Sequence, residues 1–226
     1  MERKIVSLNL HDFIAGDKEQ KEAFVQDLGT AYQDIGFVAV YNHFLDDTLT
    51  EELYAASKAF FDLPKETKLK YRIEGLAGQR GYTGWGTEHA KNSDVGDLKE
   101  FYHYGQEVPD HLKEKLNYPE NILVEEVPEF NEFGLKAYSA LQKTGMYMLR
   151  AIALYLELDE YYFDEYIKYG NSILRPIHYA PITKEPQNAV RAGQHEDINL
   201  ITLLMGASAE GLQILTKQNE WVGITA

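Results

Sequence analysis

A chain of 226 residues with 22 Lys+Arg against 36 Asp+Glu carries a formal charge of −14, and 44% of it is hydrophobic. That apolar content suffices for a buried core and excludes a disordered chain. The acidic balance argues against nucleic acid and anionic membranes as partners. The chain has no cysteine, which removes disulfides, thiolate metal sites, iron–sulfur clusters and cysteine nucleophiles. No apolar run approaches the roughly 18 residues needed to span a bilayer. The opening stretch is broken by Asn9, His11 and Asp12, so it does not read as a secretory signal, and a cytoplasmic location is expected.

In chain order, Ile5 to Leu10 alternates as a short strand. Asp17 to Asp34 keeps helical spacing through Ala23, Phe24, Leu28 and Ala31, and Gly36 ends it. Gly36 to Tyr41 is rich in strand formers. Asp46 to Phe61 predicts a second helix with Leu49, Leu53, Ala56, Phe60 and Phe61 on one face, and Pro64 marks a fresh helix start. The five glycines from Gly75 to Gly86 predict a loop, Asp97 to Tyr104 a strand, and Pro109 to Pro119 an irregular connection. Pro128 to Leu158 is the longest helical pattern, with Phe130, Phe133, Leu135, Ala137, Leu141, Met148, Ile152 and Leu156 on its apolar face. After Gly170 the period shifts towards two. Ser172 to Tyr179, Leu200 to Met205, Leu212 to Leu215 and Trp221 to Ile224 are strand candidates, the first interrupted by Pro176. This spacing favours a barrel or double sheet over a parallel α/β sheet.

Gln194-His195-Glu196-Asp197 is the strongest candidate for chemistry. On extended backbone His195 and Asp197 project to the same face, so both can bind one divalent metal, as in the 2-His-1-carboxylate facial triad. The tripeptide alone is weak, because chance supplies roughly 0.4 such pairs in a chain of this composition. Other candidates carry less. Arg191 could face the pocket but reads more simply as solvated, and Arg80, Tyr82 and Trp85 fit either a substrate entrance or loop packing. No Gly-Lys-Ser/Thr follows the glycine-rich stretch, and Ser172 and Ser208 lack a nucleophile elbow.

The ordered series around this tripeptide is more specific. Asp34-Ile35-Gly36-Phe37-Val38 is followed by Phe60-Phe61-Asp62-Leu63-Pro64-Lys65-Glu66-Thr67-Lys68. Arg80-Gly81-Tyr82, Gly86-Thr87-Glu88 and Asp97-Leu98-Lys99-Glu100-Phe101 come next. Leu174-Arg175, His178-Tyr179-Ala180-Pro181, then His195-Glu196-Asp197, Thr202-Leu203-Leu204 and Gly211-Leu212-Gln213-Ile214 complete it. Together they resemble the isopenicillin N synthase-like family of Fe(II)/2-oxoglutarate-dependent oxygenases, nearly from end to end.

The resemblance implies an α+β fold: a double-stranded β-helix (jelly-roll), C-terminally incomplete, with helical N-terminal support and one long central helix. It implies a non-haem dioxygenase N-terminal region over 1–110, and the long helix with the oxygenase region over 111–226, in one compact unit. His195 and Asp197 become ligands of Fe(II), and Tyr179 a contact of the cosubstrate 2-oxoglutarate. The implied reaction is oxidation of a small molecule by O2, ending in hydroxylation, desaturation or cyclisation. His178, next to Tyr179 on a predicted strand, points the other way and reads as a core or surface histidine.

Two departures qualify these expectations. Ile177 stands where the family often has an asparagine, and it cannot make that hydrogen bond. The chain reaches Ala226 before the later strand on which the family carries its second histidine and an Arg-x-Ser. A truncated or vestigial, non-catalytic binding protein of the same ancestry is therefore the alternative expectation. Open sheet edges would favour self-association.

Overall fold

The computed structural model describes residues 5–76, 78–87, 97–181, 192–205 and 211–223. Local signals start and stop most of the helices. β1 (Ser7–Asn9) leads directly into α1 (Leu10–Ala15), because the Asn9 side chain accepts the His11 amide and turns the chain. α2 (Lys18–Asp34) opens on a capping box in which Asp17 and Gln20 exchange hydrogen bonds of 2.9 Å. Past its end Gly36 takes φ +80°, and β2 (Ala39–Tyr41) returns to pair with β1 in parallel, Leu8 opposite Val40. Asp46 accepts the Leu49 amide at 2.8 Å and starts α3 (Asp47–Phe61); α4 (Lys65–Leu69) follows Pro64.

The remaining elements are β3 (Gly81–Thr83), β4 (Glu100–Gly105), α5 (Asp110–Leu116), α6 (Pro128–Tyr155), α7 (Asp164–Ile167), β5 (Ile173–Leu174), β6 (Ile177–His178), β7 (Gln213–Leu215) and β8 (Trp221–Gly223). β3, β5 and β6 all pair antiparallel with β4, and β7 pairs antiparallel with β8. Helices and antiparallel strands thus coexist as expected. No helix among the described residues is long and apolar enough to cross a membrane.

Four local expectations are corrected. The glycine-rich loop contains β3, whose three residues are buried because Tyr82 lies opposite Tyr102 of β4. Pro109 to Pro119 contains α5, which buries no residue and so shows no apolar period. Asp110 in its first turn and Lys113 and Lys115 in its last suit the helix dipole, and Asn117 in the left-handed region stops it. The strand expected over 172–179 is broken into β5 and β6 at Arg175-Pro176, where the Pro176 carbonyl accepts from the Tyr102 amide. Leu200 to Met205 forms no strand. Ile201, Leu203 and Met205 are half-buried while Leu200, Thr202 and Leu204 are exposed, so the alternation is present without a ladder.

The chain divides into two compact units. One contains residues 1–44, 140–165 and 199–226. Its core joins Leu8, Leu10 and Phe13 to Phe24 and Leu28 of α2 and to Met148 and Ala151 of α6, with Ile201 packed against it. The Gly29 backbone lies so close to the Tyr155 ring that a Cβ there would overlap it.

The other unit contains residues 45–139 and 166–198. All of β4 is buried. Tyr102 and Tyr104 join Phe60, Phe61, Tyr71, Tyr82 and Phe130 in an aromatic core, to which α3, β3 and the start of α6 contribute. Gly81 is the hinge into this core. It takes φ +71°, and a Cβ there would run into the Tyr71 carbonyl oxygen. Gly81→Ala should therefore cost ~2–3 kcal/mol, from left-handed strain and the collision together. Gly86→Ala has the strain (φ +66°) but open space around it, and should cost about 1 kcal/mol. Urea midpoints of the two variants check the contrast.

Candidate functional site

Every residue of the candidate site belongs to the second unit. The segment from Gly193 to Ile198 forms no regular element and is held through specific hydrogen bonds. The Gly193 amide donates to Asp97 Oδ1 at 3.3 Å. Asp97 is buried just before β4, where its other oxygen pairs with Lys99 Nζ at 2.8 Å. Its carbonyl accepts from the Gly86 amide. The anchor thus sits three residues before a strand that is buried throughout.

His195 Nδ1 lies 2.9 Å from the Gly193 carbonyl oxygen. A carbonyl only accepts, so Nδ1 carries the hydrogen and, in the neutral ring, Nε2 presents its lone pair. That nitrogen lies 3.6 Å from Asp197 Oδ1, beyond a good hydrogen bond, with side chains 61% and 49% exposed. Two electron-rich donors side by side, one of them oriented by a backbone carbonyl, suit a divalent cation. Among the described residues no group of three or more His, Asp or Glu gathers to hold a metal ion. The structure therefore brings His195 and Asp197 together as two donors. Glu196, between them, is exposed.

Tyr179 follows β6 and is 38% exposed, as is its neighbour Ile177 at 40%. His178 turns the other way, stacks on Phe61 at 5.3 Å and places Nδ1 2.8 Å from Glu100 Oε1. Arg191 and Glu88 lie outside the described residues.

Beneath β6 is a buried polar cluster whose roles are not legible in the motif. Glu100, 1% exposed, accepts from Lys68 Nζ at 2.7 Å and from the Tyr82 hydroxyl at 2.5 Å as well as facing His178. Lys68 also donates to the Phe61 carbonyl at 2.8 Å. Burial pushes the Glu100 carboxyl upward in pKa, but the hydrogen bonds from Lys68, Tyr82 and His178 outweigh it and hold it below its ordinary value. Burial and the neighbouring carboxylate raise the Tyr82 hydroxyl, which stays protonated and donates. The signal that could have found this cluster is a glutamate inside an otherwise aromatic strand, since buried carboxylates require partners.

On the opposite face of β4, His103 accepts from Arg175 Nε at 2.5 Å, and the Arg175 guanidinium lies 4.4 Å from the centre of the Phe101 ring. Arg80 is also buried, donating to Asn171 Oδ1 at 2.7 Å and the Gln79 carbonyl at 2.8 Å, and burial lowers its pKa. These contacts tie β4 to the Arg175 junction between β5 and β6, and the residue before β3 to Asn171.

Residues 6–126 match the family model described as the non-haem dioxygenase in morphine synthesis N-terminal region. A 2-oxoglutarate-Fe(II) type oxidoreductase of Emericella nidulans is 27% identical over 96% of this chain and 65% of its own length. A proline hydroxylase of Petromyces alliaceus is 31% identical over 93% of this chain and 67% of its own. The chain thus spans about two thirds of the length of these curated relatives. Among solved structures, a 2OG-Fe(II) oxygenase family protein from Caulobacter crescentus superposes with TM-score 0.84 at 37% identity, covering 98% of this chain and 70% of that one. A full-length Neurospora crassa protein in complex with alpha-KG gives TM-score 0.83 at 27% identity, covering 97% and 69%. With more than half of its residues matched by the family model and its helices and sheets shared with these structures, the chain belongs to the Fe(II)/2-oxoglutarate-dependent oxygenase family.

Proposed function

We propose that this protein oxidises a small molecule with O2, using Fe(II) and 2-oxoglutarate, at a site built on His195 and Asp197. The observation that carries the reading is His195 Nε2 lying 3.6 Å from Asp197 Oδ1, with the far ring nitrogen already bonded to Gly193. A nitrogen and an oxygen donor in this arrangement fit two positions of a non-haem iron site and leave others open for cosubstrate and O2. When bound, the iron supplies the redox chemistry that couples loss of CO2 from 2-oxoglutarate to oxidation of the substrate.

The chain's own residues do the holding and orienting. Asp197 brings a negative charge to the cation. His195 contributes a neutral donor whose tautomer is set by the Gly193 carbonyl. The Tyr179 hydroxyl would donate to a carboxylate of 2-oxoglutarate, from the position next to His178, whose ring is held by Glu100. The fold class proposed for the chain is α+β, a double-stranded β-helix (jelly-roll) with helical N-terminal support. The relatives named as 2-oxoglutarate-Fe(II) oxidoreductase and proline hydroxylase support the reaction class; the substrate here is a small molecule of unassigned structure.

Anaerobic titration of the full chain with Fe(II), with and without 2-oxoglutarate, tests the proposal. A weak visible charge-transfer band is expected only when both are present, and His195→Ala should abolish it. A folded parent chain that never develops the band would replace the oxygenase reading with a non-catalytic binding protein of the same ancestry.

A further inference from the structure

Asp97 and His195 are 98 positions apart in the chain, yet two hydrogen bonds connect them. Asp97 Oδ1 accepts from the Gly193 amide at 3.3 Å, and the Gly193 carbonyl accepts from His195 Nδ1 at 2.9 Å. Both polar groups of one residue are thereby committed, one to the rigid root of β4 and the other to the imidazole ring. From these contacts we infer that Asp97 is a positioning residue for the metal site, acting through the Gly193 backbone to hold the His195 ring with Nε2 towards Asp197. This deepens the metal-binding reading above and rests on it.

First, the Gly193–Ile198 segment has no helix or strand hydrogen bonding of its own, so its conformation depends on bonds made to other elements. Second, the anchor is stiff. The Asp97 and Lys99 side chains are 6% and 7% exposed, their contact is 2.8 Å, and the Asp97 backbone carbonyl is itself bonded to the Gly86 amide. Third, the ring it serves is exposed and would otherwise rotate about χ2 between orientations that present either nitrogen to Asp197. Outer-shell partners of this kind fix ring orientation and tautomer, and removing one typically costs about 10–100-fold in metal affinity. Asp97 thus reaches the metal without touching it. Lys99 offsets the burial of its charge and leaves Oδ1 turned towards the loop.

The test uses the full chain with Co(II) as an air-stable stand-in, read by its visible absorption and by calorimetric affinity. Asp97→Ala alone would remove a carboxylate partner of the buried Lys99 ammonium and risk unfolding, so the comparison is made in a Lys99→Met background. Asp97→Asn with Lys99→Met keeps an acceptor for the Gly193 amide. It should bind Co(II) within about twofold of the parent chain. Asp97→Ala with Lys99→Met differs only in lacking the acceptor and should bind about tenfold more weakly, with an altered visible spectrum. Equal affinities for the two double variants would overturn the positioning role, provided that His195→Ala weakens binding. If His195→Ala leaves Co(II) binding unchanged, the metal-binding reading itself fails, and the role of Asp97 fails with it. Near-UV circular dichroism establishes that each variant retains its packed aromatic core.

Discussion

Glu100→Ala is expected to destabilise the protein by about 3–5 kcal/mol, the typical cost of breaking one half of a buried ion pair. The carboxylate gathers donors from three separate elements: Lys68 from α4, Tyr82 from β3 and His178 from β6. Truncation leaves the Lys68 ammonium, itself buried, with the Phe61 carbonyl and the Tyr82 ring among the described residues, and removes the acceptor of a buried phenol. The paired change Lys68→Met with Glu100→Leu should recover part of the loss, because it deletes both charges and refills the space with apolar groups. The effect also depends on pH in a defined direction. The Glu100 carboxyl is held below its ordinary value of 4.5, so the unfolded chain takes up this proton first as acid is added. Its stabilisation is fully present above about pH 4.5 and is lost as pH falls through the folded value. Urea denaturation of parent and Glu100→Ala between neutral pH and pH 3 should show the gap between their midpoints narrowing. A gap that stays constant would mean that the charge is not what stabilises.

Phe60→Ala should cost a similar ~3–5 kcal/mol by a different route, the loss of buried aromatic surface plus the cavity left behind. Phe60 has no exposed surface. Its ring stacks on Phe130 at 4.7 Å and 8°, and it meets Tyr102 edge-on at 5.2 Å and Tyr82 at 6.1 Å. Rings from three elements, β3, β4 and α6, converge on this one side chain of α3, so they cannot close the void without moving a strand or helix. Glu51→Ala, on the exposed side of the same helix, should change stability by no more than about 0.5 kcal/mol. Equilibrium unfolding followed by tyrosine signals compares the two. Unlike Glu100→Ala, the Phe60→Ala deficit should not change with pH across the acidic range, since no titrating group is removed.

The helices are largely legible in the amino-acid sequence. Asp17 with Gln20, and Asp46 three residues before Leu49, are capping signals confined to a single turn, and helices start at both. The apolar face of the longest pattern likewise appears as α6, where Phe130, Ala137 and Met148 are fully buried. The strands are less legible. β3 is three residues inside a glycine-rich stretch, and only its register against β4 makes it a strand. Leu200 to Met205 has the right alternation and no ladder. Alternation reports which side chains face inward, and that is decided without a hydrogen-bonded neighbour.

The site divides along the same line. The amino-acid sequence determined by itself that His195 and Asp197 lie two positions apart, within reach of one cation; it also places Glu100 in an aromatic segment where burial demands partners, a signal that the motif alone does not reveal. These are local facts of spacing and composition. Only the tertiary structure decided that Lys68, Tyr82 and His178 are those partners, that Asp97 holds Gly193, and that Gly193 turns the His195 ring. Caps and hydrophobic periods act within one turn or one strand, so each segment carries them wherever it lies. A buried carboxylate accepts a donor from any segment that the packing brings near, and the chain between Asp97 and Gly193 is far too long for local pattern to name which.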